Sequence, residues 1–282
     1  MTERFLIRVM SRRELEVVTD WAAAEGWNPG LSDATAFHAA DPAGFLMGVR
    51  DDLPVACISV VRYGADFGFL GFYIAHPSVR GQGYGIQVWR AGMTRLAGRL
   101  VGLDGVPAQQ DNYRKSGFTL AWRNVRFQGA PAGLPLSPPS MRIVDASELP
   151  FDRIADFDRR FFPGPRESFL SLWLSLPGHR ARAVLRGGEI VGLAVARPCR
   201  EGCKIGPLYA ADAGIAAALI GDLGASAARP LIIDVPEVNA PAVRLAESLG
   251  LAPAFETARM YTAPPPAADL AGLFGVTTFE LG

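Results

Sequence analysis

Cysteine and histidine are scarce in this 282-residue chain, at three residues each. Cys57, Cys199 and Cys203 make no even disulfide framework, and no histidine lies near the last two, so no metal site is expected. An excess of one charge is also missing, since 28 Lys and Arg balance 28 Asp and Glu. No basic field therefore marks nucleic acid or an anionic membrane as a partner. No run reaches the ~18 apolar residues of a membrane helix. The start, "MTERFLIRVMSRREL", is broken by charge and offers no secretory core. The expectation is a cytoplasmic protein, monomer or homodimer, with neither a membrane nor a nucleic-acid partner.

Apolar side chains are plentiful at 49%, enough for substantial cores, and 31 Gly with 22 Pro imply many turns. The length suits two ordinary domains. "APAGLPLSPPS" (130–140) is rich in Pro and Gly, nearly uncharged and without periodicity, so it reads as a linker. The segments on either side repeat each other in order. "IRVMSRREL" (7–15) matches "MRIVDASEL" (141–149), "FLMGVRDDLPVACISVV" (45–61) matches the stretch from 181 to 196, and "GFYIA" (71–75) matches "GPLYA" (206–210). "YRKSGF" (113–118) matches "AESLGL" (246–251), and in both copies an arginine, Arg126 or Arg259, follows the glycine by nine residues. Gly117 and Gly250 each end an apolar-periodic segment as a left-handed C-cap would, and Asn239 before Ala240-Pro241 is a helix N-cap candidate. The expectation is two copies of one α/β domain, 1–129 and 141–282, joined by 130–140.

In the first copy, "FGFLGFYIA" (67–75) reads as a strand closed by Pro77. Ile86, Trp89, Met93, Leu96 and Leu100 then recur at helical spacing. Between them lies "VRGQGYG" (79–85), with Gly81, Gly83 and Gly85 at alternate positions behind Arg80. A glycine loop between strand and helix aims unpaired backbone amides at an anion, with the helix dipole in support. Bare backbone admits a bulky pyrophosphate, and Arg80 can add a charge-assisted contact. The pattern lacks the Gly-Lys-Ser/Thr of a Walker loop and the G-x-G-x-x-G of a dinucleotide fingerprint.

Arg-x-x-Gly-x-Gly after "YIAHPSV" resembles the acetyl-CoA loop of the GNAT superfamily of N-acetyltransferases. "YRKSGF", with Tyr113 four residues before Gly117-Phe118, is similar to the end of the last helix of that family. The resemblance implies an α/β (α+β) fold of two tandem GNAT-like domains, each a mixed, mostly antiparallel sheet flanked by helices. It implies acetyl-CoA as co-substrate, held by Ile74, Ala75, Arg80, Gly81, Gln82, Gly83, Tyr84 and Gly85, with strand amides around Ile74 and Ala75 polarising the thioester. Tyr113 would be the general acid to the leaving thiolate; a core tyrosine capping the helix is the other reading. An alkylammonium with a pKa near 10 costs about 4–5 kcal/mol to keep neutral at pH 7, so a base or a desolvating pocket is needed. His76 and Glu25 are the candidates for that base. The stretch around "GWNPGLSD" (26–33) falls where the family places acceptor-lining elements, which marks Trp27, Asn28, Asp33 and Tyr73 as pocket candidates. The chain departs from the family in "VPAQQDNYRKSGF", where Gln109, Gln110 or Asn112 stand in place of the usual Asn and Ala.

At the place of the glycine loop the second copy reads "YAADAGIAAALIGDLG" (209–224), with only Gly214 before the apolar run, no arginine, and Asp212 where phosphate would sit. Ala246 stands at the position of Tyr113. The second copy is expected to be non-catalytic and to shape the acceptor pocket. Its closing "GVTTFELG" alternates like a strand that completes its own sheet or reaches across to the first copy. The leading reading is an N-acetyltransferase acting on a primary amine of a small molecule. A CoA-binding sensor without catalysis and a protein N-acetyltransferase are the alternatives.

Overall fold

Alternating apolar and aromatic residues form the strands, and the helices between them bury one stripe each. The computed structural model describes residues 4–282. The first half runs β1 (Phe5–Val9), α1 (Arg12–Ala24), α2 (Asp33–Ala40), β2 (Phe45–Arg50), β3 (Leu53–Tyr63), β4 (Phe67–Ala75), α3 (Tyr84–Arg95), β5 (Leu100–Gly105), α4 (Gln110–Lys115) and β6 (Thr119–Gly129). The second half repeats that order with β7 (Arg142–Asp145), α5 (Phe151–Asp158), α6 (Glu167–Ser175), β8 (Arg180–Arg186), β9 (Glu189–Pro198), β10 (Cys203–Ala210), α7 (Ala213–Gly224), β11 (Leu231–Pro236), α8 (Ala240–Ser248) and β12 (Ala252–Tyr261). A short extra strand, β13 (Leu273–Gly275), follows. No helix among the described residues is long and apolar enough to cross a membrane.

The two halves are not two separate sheets. The strands join in the order β1-β2-β3-β4-β5-β12-β6-β11-β10-β9-β8-β7, with β13 on β10. Each repeat thus gives its last strand to the other: β12 of the second half pairs antiparallel with β5, and β6 of the first pairs antiparallel with β11. The exchanged strands also pair with each other along the middle of the sheet. Both repeats lose an exposed edge in this way.

The arginine that follows each helix-ending glycine by nine residues now has a reason. Arg126 lies opposite Asp234 in the β6–β11 register, and Arg259 lies opposite Asp104 in the β12–β5 register. Each guanidinium grips its carboxylate through two hydrogen bonds, at 2.7 and 2.9 Å for Arg126 and at 2.8 and 2.6 Å for Arg259. The side chains of both pairs are buried. Burial pushes Asp234 up, but Arg126 and Lys204 outweigh it and hold its carboxyl below the ordinary range.

Gly117 and Gly250 adopt φ of 90° and 71°, as the C-cap reading requires. Asn239 caps α8 by accepting the Ala242 amide at 3.2 Å. The helical stripe read after the glycine loop needs correction. Helix α3 ends at Arg95, so Leu100 belongs to β5, and Ile86 is exposed. The buried face is Tyr84, Val88, Trp89 and Gly92. Gly92 belongs to it because a Cβ there would stand 2.8 Å from Val60, so the helix lies close on the sheet. The cysteines are free and buried.

Candidate active site

Strands β4 and β5 run parallel and in register only from Phe67↔Leu100 to Leu70↔Leu103. Beyond Leu70, β4 keeps its pairing with β3 but has no partner on the β5 side, while β5 continues against β12. The parting coincides with a bulge in β4, where the β3 register shifts and Phe72 takes a φ of 44°. Positive φ is costly for a bulky residue and marks a backbone held by its surroundings. Cys57 contributes by donating its thiol to the Phe72 carbonyl at 3.1 Å.

A cavity of about 480 Å³ fills the gap, within the usual size of a small-molecule site. Its walls come from both repeats. The first contributes Gly71 to Ala75 of β4, Leu103 to Val106 at the end of β5, Trp27 and Tyr113, and the second contributes Phe255, Thr257, Phe279 and Glu280. His76 donates its amide to the Val55 carbonyl of β3 at 2.9 Å, so Ile74, two residues earlier and opposite Cys57, faces β3 as well. Strand alternation therefore leaves the amide and carbonyl of Ala75 at the open edge. Of the two amides read as polarising the thioester, only that of Ala75 lies at the open edge.

At the mouth, Gly81 and Gly83 adopt φ of 80° and 85°, and a Cβ on either would meet nothing within 4 Å. Their glycine identity is thus a matter of backbone conformation and of leaving the loop bare, since no protein atom crowds them. Gly83 caps the N-terminus of α3 in the left-handed region, and among the described residues no side chain caps the helix amides, an arrangement suited to an anion. A valine forced into that conformation costs about 1–2 kcal/mol. Gly83→Val is expected to lower CoA affinity at least about tenfold, with only a small loss of thermal stability. Isothermal calorimetry of the variant checks this; wild-type affinity would mean that the phosphates bind elsewhere.

Arg80 does not extend freely into the loop. Its Nε donates to the Ala75 carbonyl at 3.0 Å and its Nη2 forms an ion pair with Glu25. Glu25 lines the cavity and is paired there with that guanidinium. His76 is absent from the cavity wall. Its Nδ1 lies 2.8 Å from the Ser78 hydroxyl and accepts the Ser78 amide, so it caps the turn at Pro77–Val79. Gln82 folds back on the Ser78 carbonyl, and Tyr84 packs on Phe5 beneath the loop. The Gly85 backbone lies beside the Tyr73 hydroxyl, which a Cβ would approach to 3.1 Å.

The acceptor-side residues divide. Gly26, at φ 81°, turns the chain at the end of α1 and delivers Trp27 to the cavity, which Tyr73 also lines. Asn28 and Asp33 are not in the wall. Asn28 binds the backbone of Glu201 through both side-chain atoms, and its carbonyl accepts from Lys204 at 3.1 Å. Asp33 is fully buried against Arg197 at 3.2 Å. Both tie the halves together, which their polar types did not distinguish from a binding role.

Tyr113 is buried in the wall, its ring stacked on Trp89 at 5.6 Å between centroids. Gly105 makes room for it, because a Cβ at 105 would come within 2.1 Å of the Tyr113 ring. Burial, with a smaller effect from Tyr73, pushes the phenol well above its ordinary value, so it is neutral and able to donate. Gln109 lines the cavity, and Asn112 donates to it at 2.7 Å. Asp104, Phe255, Thr257, Phe279 and Glu280 are wall residues that sequence reasoning missed, and Glu280 is the one of them in the closing segment that carries a charge. Its one signal was a lone acid in an otherwise alternating tail.

The matching gap in the second repeat is closed. Strands β10 and β11 pair in parallel only over Cys203–Ile205, after which β13 enters and pairs with β10 at Leu208 and Tyr209. Val276 then donates its amide to Asp234 of β11 at 2.9 Å. The N-terminus of α7 is capped by Asp212, whose carboxylate accepts the Ile215 amide at 2.9 Å. The chain itself thus fills this cleft and caps the helix terminus beside it.

The open cleft, the glycine loop and the repeated architecture define a tandem acyltransferase fold, and the chain belongs to the GNAT acetyltransferase family. The model of the acetyltransferase (GNAT) family matches residues 13–118, and that of an acetyltransferase (GNAT) domain matches 154–275. The chain is 30% identical over 274 residues to the holothin acyltransferase of Pseudoalteromonas sp. (strain SANK 73390), covering 96% of this chain and 92% of that protein. Its fold is similar to that of a putative acetyltransferase from Pyrococcus horikoshii, with a TM-score of 0.82 at 20% identity over 99% of this chain and 96% of that one. It is also similar to a tandem GNAT protein from the clavulanic acid biosynthesis pathway, with a TM-score of 0.65 at 14% identity over 93% of this chain and 100% of that one.

Proposed function

We propose that this chain moves an acetyl group from acetyl-CoA to a primary amine of a small molecule. The observation that carries the reading is the cavity at the parting of β4 and β5, with bare amides at its mouth and the Tyr113 phenol in its wall. Those residues fit the co-substrate: the loop at Gly81 to Gly85 would take the pyrophosphate, and the free edge of β4 would take the pantetheine arm by strand-like hydrogen bonds. Acetyl-CoA supplies an activated acyl carbon. The Ala75 amide would stabilise charge developing on the thioester oxygen. Tyr113 would give its proton to the departing sulfur. A small acceptor is favoured over a protein because Phe255, Thr257, Phe279 and Glu280 of the second repeat wall in the site. The relationship to a holothin acyltransferase supports acyl transfer and puts holothin in the acceptor panel. Thiol release from acetyl-CoA with a panel of small amines tests the reading; CoA binding without turnover of any amine would leave a sensor instead.

One CoA per chain is expected. In the second repeat β13 occupies the cleft and the Asp212 carboxylate takes the Ile215 amide and puts negative charge at that helix terminus, and each lost helix-terminus or charge-assisted contact is worth on the order of 1 kcal/mol. Several such losses weaken binding by two or more decades. Calorimetric titration reads the stoichiometry directly, and two equivalent sites per chain would overturn the assignment.

A further inference from the structure

Three carboxylates line the cavity: Glu25, Asp104 and Glu280. Glu25 is paired with Arg80. Asp104 accepts two hydrogen bonds from Arg259 and a third from Asn124 at 2.8 Å. Glu280 differs from both. Its residue is 3% exposed, yet among the described residues its carboxylate has neither a hydrogen bond nor an ion pair, and its oxygens are not sealed from the cavity. A buried acid left open toward an aqueous cavity in this way is costly unless something enters to meet it.

The chain works to hold it there. After β13 has filled the second cleft, the tail crosses to the first repeat, where Ser59 donates to the Glu280 carbonyl at 3.4 Å and Tyr63 donates to the Leu281 carbonyl at 3.1 Å. The Glu280 carbonyl lies so close to Gly71 that a Cβ there would be 2.1 Å away. Gly71 is the first β4 residue past the parting from β5. Glu280 is thereby fixed beside the open edge of β4, in the same cavity as Tyr113. The charged groups that act on it are Lys204, Arg126 and Arg197, which favour its ionised form, and Asp33, which opposes it; burial outweighs the three cations and pushes its carboxyl up. A carboxyl so raised is a stronger base than a solvated one.

We infer that Glu280 is the proton acceptor for the incoming amine, delivered to the first repeat's cavity by the tail of the second. The assignment rests on the transferase reading above. An alkylammonium gives one proton to the Glu280 carboxylate, and the neutral nitrogen attacks the thioester carbon. The C–N bond forms and the C–S bond breaks, with the proton of Tyr113 going to sulfur. The second proton on nitrogen returns through water to the Tyr113 phenolate, and Glu280 releases its proton to solvent. The products are amide, CoA thiol and one proton.

The test compares Glu280→Gln with wild type, using acetyl-CoA with primary alkylamines and with primary arylamines, which are neutral at pH 7. The variant is expected to keep CoA affinity and melting temperature, to lose about 10²-fold in kcat with alkylamines, and to lose less than about tenfold with arylamines. A merely structural role would lower both classes alike, and that result, or an unchanged kcat, overturns the assignment. Glu280→Asp, which keeps the charge, is expected to retain more alkylamine activity than the Gln variant and serves as well if that variant folds poorly. Wild-type enzyme that turns over no amine overturns the transferase reading itself, and Glu280 as base with it.

Discussion

Arg259→Ala is expected to destabilise the protein by about 3–5 kcal/mol, the range for leaving one member of a buried ion pair alone. That is a large part of the roughly 5–15 kcal/mol that holds a typical domain folded. Asp104 would keep only its contacts with Asn124 and Thr257, deep in the sheet. The guanidinium also lies over Phe69 at 5.0 Å, so its loss opens a void as well as exposing a charge. The strain falls at the seam where β12 enters the first repeat, and loosening there should affect both halves at once. Chemical denaturation is the measurement. A midpoint equal to wild type would show that the pair does not hold the exchanged strand. Combining Arg259→Met with Asp104→Leu should recover much of the loss, because replacing both charges removes the orphan.

Tyr113→Phe is expected to lower kcat by about 10²-fold while leaving CoA affinity nearly unchanged. The phenol is held in place by Trp89 on one face and by the absence of a side chain at Gly105, so removing the hydroxyl should not move the ring. Burial pushes the phenol's pKa up, so on the proposed mechanism its proton would be given only as negative charge builds on sulfur. An interaction made only at that stage appears in kcat and not in ground-state binding. Steady-state kinetics beside calorimetry separates the two, and an unimpaired kcat would make Tyr113 a packing residue.

Much of the architecture is legible in the residues. The left-handed glycines Gly117 and Gly250, the cap at Asn239 and the bare loop at Gly81 and Gly83 follow from local backbone preferences, which act within a few residues and leave a mark in sequence. The repeat is visible for the same reason, since each copy must satisfy the same local rules. Asn28, Asp33 and His76 show the limit. A polar residue near a cleft reads alike whether it caps a turn, ties two halves together or faces a ligand, and only its partner decides.

Sequence by itself determined the two-fold repetition, the family, the glycine loop and the loss of that loop in the second copy. Tertiary structure alone decided that β6 and β12 trade places, that β13 fills the second cleft, and that Glu280 stands in the wall of the first. Those outcomes depend on pairings between residues far apart in the chain, from Val276 on Asp234 to Ser59 on Glu280. A strand carries the same alternation whichever sheet accepts it, so local pattern cannot say which partner it will find.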